Sequence, residues 1–359
     1  MLTVLLFIVI LGILVLAHEG GHFLAAKLNG VRVHEFGFGF PPRLWARRHG
    51  ETEYSVNLLP LGGFVRIAGE DGRDEGTERG RSFSEKPFLA KFVMLGAGVA
   101  VNWMIAAFLL GTLQIFGAPI AVSDAENIAA NVTVSAVAPA SPAASAGLLA
   151  GDTIIGLAAE DGSAVPATIR EVQKFLSIHA GKEVRLTLRR GEDEPRTLSA
   201  VPRTQPPEGE GPLGVALVRV AKVSHPWYEA PFRGVFVAAS LSIAVVQGLG
   251  DMVGSLLADG RLAEGITGPV GIAVATGQVQ TLGFGALLAF IAVLSLNLAV
   301  LNAIPFPALD GGRVAIAALE GLFRRPFPLR VVAWFHAAGF TALMAIVLLI
   351  TYRDVRNLL

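Results

Sequence analysis

The sequence predicts a polytopic α-helical membrane protein with about four transmembrane helices, a membrane-dipping β-hairpin and an inserted β-rich α+β domain. Three observations lead there. Of 359 residues, 53% are hydrophobic and 16% charged, where an ordinary soluble domain carries ~25% charge. Several long runs hold no charged residue at all. Between them lies a stretch in which apolar residues alternate with polar ones, the period of a half-buried strand.

Residues 1–17 (MLTVLLFIVILGILVLA) are uncharged. They lack the Lys or Arg that precedes the apolar core of a secretory signal, so a retained helix over 1–28 is expected. At 1.5 Å per residue it would be about 42 Å long, enough to span. A second uncharged run, 92–123, holds a helix over 92–117. A third span is expected over 283–312 and a fourth over 331–352. Gly234–Gly250 is uncharged for seventeen residues, and it is read as a re-entrant or interfacial helix within a linker, 206–282.

Orientation follows from Lys and Arg beside the spans. The segment 29–91 holds Arg32, Arg43, Arg47, Arg48, Arg66, Arg73, Arg79, Arg81, Lys86 and Lys91. Arg313, Arg324, Arg325 and Arg330 separate spans three and four. Both segments are expected to be cytoplasmic, which leaves the long middle region outside. Within 29–91, Tyr54–Ile67 (YSVNLLPLGGFVRI) reads as two short strands around Pro60 and Gly62-Gly63. It is too apolar for a solvated loop, so it is expected to dip toward the membrane core, where strand backbone needs protein or a wet cavity around it. Gly37-Phe38-Gly39-Phe40-Pro41-Pro42 reads as a further loop of that kind.

The composition also excludes functions. Twenty-nine basic residues balance 29 acidic ones, leaving no basic excess to neutralise phosphates, so no nucleic-acid partner is expected. Cysteine is absent, which removes disulfides, thiolate nucleophiles and Cys-ligated metals. A metal here must be held by His, Asp or Glu.

His18-Glu19-Gly20-Gly21-His22 fits H-E-x-x-H. On a helix the two imidazoles share one face and reach one ion, and the Glu is placed to take a proton from the attacking water. Three ionisable groups in an apolar span are costly and point to function. A third ligand is needed. Asp310 is the candidate: it ends the uncharged run after Asn302-Ala-Ile-Pro305-Phe-Pro307-Ala-Leu, where two prolines interrupt the helix. His18 lies about 26 Å along a helix that runs inward, and Asp310 lies at the inner end of span three, so charge counting puts both at similar depth. His34, His49, His179 and His225 are expected in solvated positions, and His336 in a hydrogen bond between helices.

The middle region has its own signature. Ser141–Ile155, with Ala146-Gly147-Leu148 and then Gly151-Asp152-Thr153-Ile154, resembles the PDZ domains of bacterial membrane and periplasmic proteases. The resemblance implies a PDZ domain over 125–205 that captures a peptide or chain end by strand addition.

HEGGH, LPLGGFVRI, AGVAVNW around Asn102, GPVGIA at 268–273 and SLNLAVLNAIPFPALDGG at 295–312 together resemble the site-2 protease family of intramembrane zinc metalloproteases. The closest layout is the bacterial branch that cleaves anti-sigma factors and signal-peptide remnants. The resemblance implies a zinc metalloendopeptidase acting in regulated intramembrane proteolysis. It implies Zn2+ on His18, His22 and Asp310, and Glu19 as catalytic acid/base. Asn302 would lie near the scissile bond, and Leu59, Leu61, Gly62, Gly63, Phe64 and Val65 would form an edge that pairs with an extended substrate. Asn297 and Asn102 are read as helix–helix hydrogen bonds. The partners implied are membrane-spanning protein substrates in the lipid bilayer. The place implied is a bacterial inner membrane, crossed several times, with the active site near the cytoplasmic face and the PDZ domain on the extracytoplasmic side. The rival reading is a non-catalytic membrane scaffold with a peptide-binding PDZ domain, which leaves Glu19 without a role.

Overall fold

The computed structural model describes residues 2–70, 79–126, 129–191, 193–207, 209–259, 268–323, 325 and 327–358. Arg73, Arg324 and the side chain of Leu61, all named above, lie outside the described residues. In chain order the elements are α1 (Leu2–Leu28), β1 (Val33–His49), β2 (Thr52–Ile67), α2 (Phe88–Phe116), β3 (Ala118–Val122), β4 (Asn131–Val137), α3 (Pro142–Ala146), β5 (Asp152–Ala159), β6 (Gly162–Ala164), α4 (Ile169–Ile178), β7 (Val184–Arg190), β8 (Arg196–Ala200), β9 (Val215–Val223), α5 (Ala230–Asp259), α6 (Pro269–Thr281), α7 (Phe284–Ala303), α8 (Asp310–Phe323) and α9 (Leu329–Leu358). They form two units. Met1–Gly111, Pro231–Gly277 and Ala289–Leu359 make a helical unit, and Thr112–Ala230 with Gln278–Leu288 make a sheet unit.

In the helical unit, parts of α1, α2, α5, α7 and α9 are long and apolar enough to cross a bilayer, which fits a polytopic membrane protein. The apolar stretch at 234–250, read as a re-entrant or interfacial helix, is helical and forms the middle of α5, a 30-residue helix about 45 Å long at 1.5 Å per residue. Arg233 and Asp251 bound the uncharged run and both lie inside the helix. Trp103 Nε1 of α2 donates to Ser242 Oγ of α5 at 3.1 Å. The third span also differs from the expected 283–312. Helix α7 stops at Ala303, a break follows, and Asp310 opens a separate helix, α8. The last span runs on past 352 to Leu358, through Arg353.

The hairpin is larger than expected over 54–67, and its pairing is different. Strands β1 and β2 are joined at Gly50-Glu51, with His49 opposite Thr52. The first half of β1 lies between the two halves of β2: Phe36 is paired with both Tyr54 and Val65, and Phe38 with both Val56 and Gly63. The chain does turn near Pro60, but its flanking strands are separated by a third strand supplied by the segment read as a loop, 37–42. That segment is a strand because its glycines serve close packing. A Cβ on Gly37 would stand 2.4 Å from the Phe64 ring. Glu35, 2% exposed, stitches the strands together by accepting from Arg43 Nη2 at 2.6 Å and Ser55 Oγ at 2.7 Å. Ala25, Ala26, Val31, Val33, Ile67 and Met94 form a small core that ties this sheet to α1 and α2.

In the sheet unit the strand order is β3-β9-β4-β5-β7-β8, with β6 paired to β5. Its boundaries exceed the expected 125–205. Strand β9, placed in a linker by the reading above, pairs with both β3 and β4. The Pro/Gly-rich run after 202 is thus a loop inside the domain, and it precedes an alternating strand. Val132, Val134, Ile154, Leu157, Leu186 and Leu188 from the strands and Val172 and Leu176 from α4 form the core. Thr168 caps α4 by accepting from Glu171 N, and Ser141 caps α3 from Ala144 N. His179, expected in solvent, is 6% exposed; its Nδ1 donates to Phe175 O at 2.8 Å and its Nε2 lies 2.8 Å from Asp161.

Asp152 is fully buried. It receives Arg190 Nε at 2.6 Å, Arg190 Nη2 at 2.8 Å and the Leu149 amide at 2.9 Å. Asp152→Ala leaves a largely buried guanidinium without its anion, a change that costs about 3–5 kcal/mol. Amide exchange in β5 and β7 of the full chain is expected to accelerate at least about a hundredfold; unchanged protection would contradict the role given to this pair.

Candidate active site

Helix α1 carries His18, Glu19 and His22. The imidazoles sit one turn apart, with their Nε2 atoms 3.3 Å from each other, and both residues are 8% exposed. Asp310 reaches them from the first position of α8: its Oδ2 lies 2.9 Å from His18 Nε2 and 3.2 Å from His22 Nε2. These three ligand atoms lie within 4.8 Å of one another. Tetrahedral zinc at about 2.0–2.1 Å from nitrogen and oxygen ligands sets such atoms about 3.3 Å apart, so the cluster fits one such ion.

The surroundings fit it too. His22 Nδ1 donates to Met94 O of α2 at 2.8 Å, which leaves the Nε2 lone pair aimed at the cluster, the usual outer support of a metal-bound imidazole. His18 Nδ1 faces the side-chain amide of Asn102 at 3.5 Å. Asn102 is wholly buried, and its Oδ1 has no partner among the described residues. The two ends of an amide are assigned and not observed; with the oxygen turned to Nδ1, Asn102 gives His18 the acceptor that a metal ligand needs. Asn102 is thus a helix–helix contact, as expected, and its partner is a candidate ligand. Ser295 Oγ of α7 donates to Asn102 O at 2.8 Å.

The break between α7 and α8 delivers the carboxylate. Pro305 and Pro307 cannot continue α7, and Ala308 turns the chain at φ 75°. The Ala308 amide donates to His336 Nδ1 at 2.9 Å, so His336, expected in a hydrogen bond between helices, bonds instead to the break after α7 and holds the turn that launches Asp310.

Opposite the cluster runs the second half of β2. A Cβ on Gly63 would stand 2.9 Å from Glu19 Cγ, so only glycine lets the strand lie over the acid. Gly62, Gly63, Phe64 and Val65 line a cavity of about 440 Å3 together with His18, Glu19, His22, Asp310 and Asn302. Leu59 does not line it; it pairs with Phe40 and is 48% exposed. Asn302 borders the cavity while its Nδ2 donates to Leu298 O of its own helix at 2.9 Å.

Sequence reasoning missed three contributors. Gly98 of α2 lies against the cluster: a Cβ there would be 2.4 Å from His22 Nε2 and 2.7 Å from His18 Nε2. Its signal was its place four residues before Asn102, on the same face of α2. Glu70 and Arg313 also line the cavity, and Arg313 stands one helical turn after Asp310.

Gly98→Ala is expected to cut zinc content well below the wild-type value, whereas Gly96→Ala, whose added methyl meets nothing within 4 Å, keeps it. Equal metal content in the two purified variants would show that α2 does not shape the site.

Comparison with known proteins gives the arrangement a family. Residues 6–346 match the model of peptidase family M50. A Clostridium perfringens protein with the provisional name of a zinc metalloprotease is 32% identical over 343 residues, covering 95% of each chain. The zinc metalloprotease RasP of Geobacillus kaustophilus is 26% identical over 437 aligned positions, covering 99% of this chain and 98% of its own. The chain belongs to peptidase family M50 and is a zinc metalloprotease.

Proposed function

We propose that the protein hydrolyses peptide bonds within membrane-spanning segments of other proteins, as the second step of regulated proteolysis, on substrates such as anti-sigma factors or signal-peptide remnants. One observation carries this reading: a two-His, one-carboxylate cluster with an adjoining Glu faces a strand edge inside an apolar helical unit.

His18, His22 and Asp310 hold zinc. When bound, zinc supplies Lewis acidity to the attacking water and the scissile carbonyl. Glu19 takes the water's proton on its carboxylate and passes it to the leaving amide nitrogen, the general-base and general-acid role. A transmembrane helix hides its carbonyls in its own hydrogen bonds, so it must unwind before attack. Gly63, Phe64 and Val65 supply a strand with one side turned to the cavity, on which an extended segment exchanges helical for sheet bonds. Leu59 contributes outside the cavity, by fixing the start of the bend through Phe40. Asn302 holds the scissile region from α7 and supports the developing oxyanion.

The sheet unit is a PDZ domain that lies on the extracytoplasmic side of a bacterial cell membrane, with the catalytic cluster near the cytoplasmic face. It accepts a short chain end left by an earlier cleavage and excludes bulky ectodomains. The support for the orientation is the arginine count together with the Glu70–Arg313 ion pair, which joins the two arginine-bearing segments.

Glu19→Gln is expected to retain zinc and lose cleavage by about 10²–10⁴-fold, measured on a purified transmembrane substrate in detergent; unimpaired cleavage would falsify the catalytic assignment. Asp310→Ala should lower zinc occupancy, and a fully loaded variant removes Asp310 from the ligand set. Excising residues 118–223 is expected to broaden acceptance toward substrates that keep their ectodomains, and the filter idea fails where discrimination persists without them.

A further inference from the structure

Two charged residues line the cavity without a part in the reaction above. Arg313 follows Asp310 by three positions on α8, so the two side chains leave one face of that helix. Glu70 follows the end of β2 in a turn fixed by the backbone: Ala68 N donates to Arg32 O at 2.9 Å, and Glu70 N to Ile67 O at 3.4 Å. Arg313 Nη1 donates to Glu70 Oε1 at 2.5 Å. The pair joins residues 243 positions apart in sequence and links opposite walls of the cavity. One wall is the strand that ends at Ile67, and the other is the helix that begins at Asp310.

We propose that Glu70 and Arg313 form a clamp that sets the spacing between the substrate-bearing edge of β2 and the metal-bearing start of α8. The inference rests on the proteolytic reading of the site. The need for a clamp follows from the chain path. Helix α8 is separated from α7 by the non-helical stretch Ile304–Leu309, and it meets the end of α7 only through its first turn, where a Cβ on Gly311 would stand 2.3 Å from Ala303 O. The Asp310 cluster and the Ala308–His336 bond both hold it at its first turn. Arg313 adds a hold on the strand side. The Glu70 carboxylate is 15% exposed, so it is screened less than a surface acid. An exposed pair contributes little to folding, but a shift of about 1 Å between an extended substrate and its acid/base can cost about 10²-fold in rate. Glu70 and Arg313 are therefore positioning residues.

The test is steady-state cleavage of a transmembrane peptide by the zinc-loaded full chain in detergent, with zinc content measured in every sample. Glu70→Gln and Arg313→Gln are expected to lose roughly 10- to 100-fold in kcat/KM while zinc stays at the wild-type level. The double variant Glu70→Arg with Arg313→Glu, which restores opposite charges across the same gap, is expected to recover most of that loss. Wild-type rates in both single variants overturn the clamp. So does a double variant no faster than the singles, since Arg313 would then act on the substrate and not through Glu70. Glu19→Gln serves as the reference: a wild-type chain no faster than that variant overturns the proteolytic reading, and the clamp with it, whereas a fast wild type beside fast single variants removes the clamp alone.

Discussion

Everything at the site depends on bringing Asp310 onto the two histidines of α1, a contact that closes 292 residues of chain. In an apolar helical unit three unpaired ionisable groups would be costly. Held together around one cation, they satisfy one another. The constraint explains the neighbouring choices. Helix α7 must stop short, so that α8 can begin with a carboxylate. Helix α2 must present a glycine at Gly98, because the ligand atoms occupy the place of a side chain. Met94 and Asn102, one turn on either side of Gly98, then orient the two imidazoles from behind.

The second constraint is the strand. Open sheet edges do not survive against lipid, because each unpaired backbone group there costs several kcal/mol. In this chain the first half of β1 lies between the halves of β2, and the second half of β2 lines the cavity. The buried Glu35, met by Arg43 and Ser55, pins the register. A one-residue slip would put a side chain where Gly63 now lies against Glu19.

The legible and illegible parts of the sequence divide on physical grounds. The apolar helices and the cluster at the candidate site were readable because charge is rare in them: His18, Glu19, His22 and Asp310 stand out against uncharged runs. Helix α5 is longer than the uncharged window 234–250, because Arg233 and Asp251 bound that window without ending the helix. The segment 37–42 was read as a loop because Gly37, Gly39, Pro41 and Pro42 carry that composition, while the two glycines serve close packing against Phe64 and Leu59. Strand β9 was lost behind a Pro/Gly run that resembles a linker. Gly98 is invisible to any rule that looks for functional groups, since its contribution is the absence of one. The Glu70–Arg313 pair joins two positions that nothing local connects.

The most direct measurement is X-ray absorption at the zinc edge of the purified full-length protein. Two imidazole nitrogens and one carboxylate oxygen as protein ligands, at about 2.0–2.1 Å with a total coordination of four or five, are the expected result. A shell without imidazole scattering, or one unchanged by Asp310→Ala, would contradict the three-ligand site on which the rest of the structure depends.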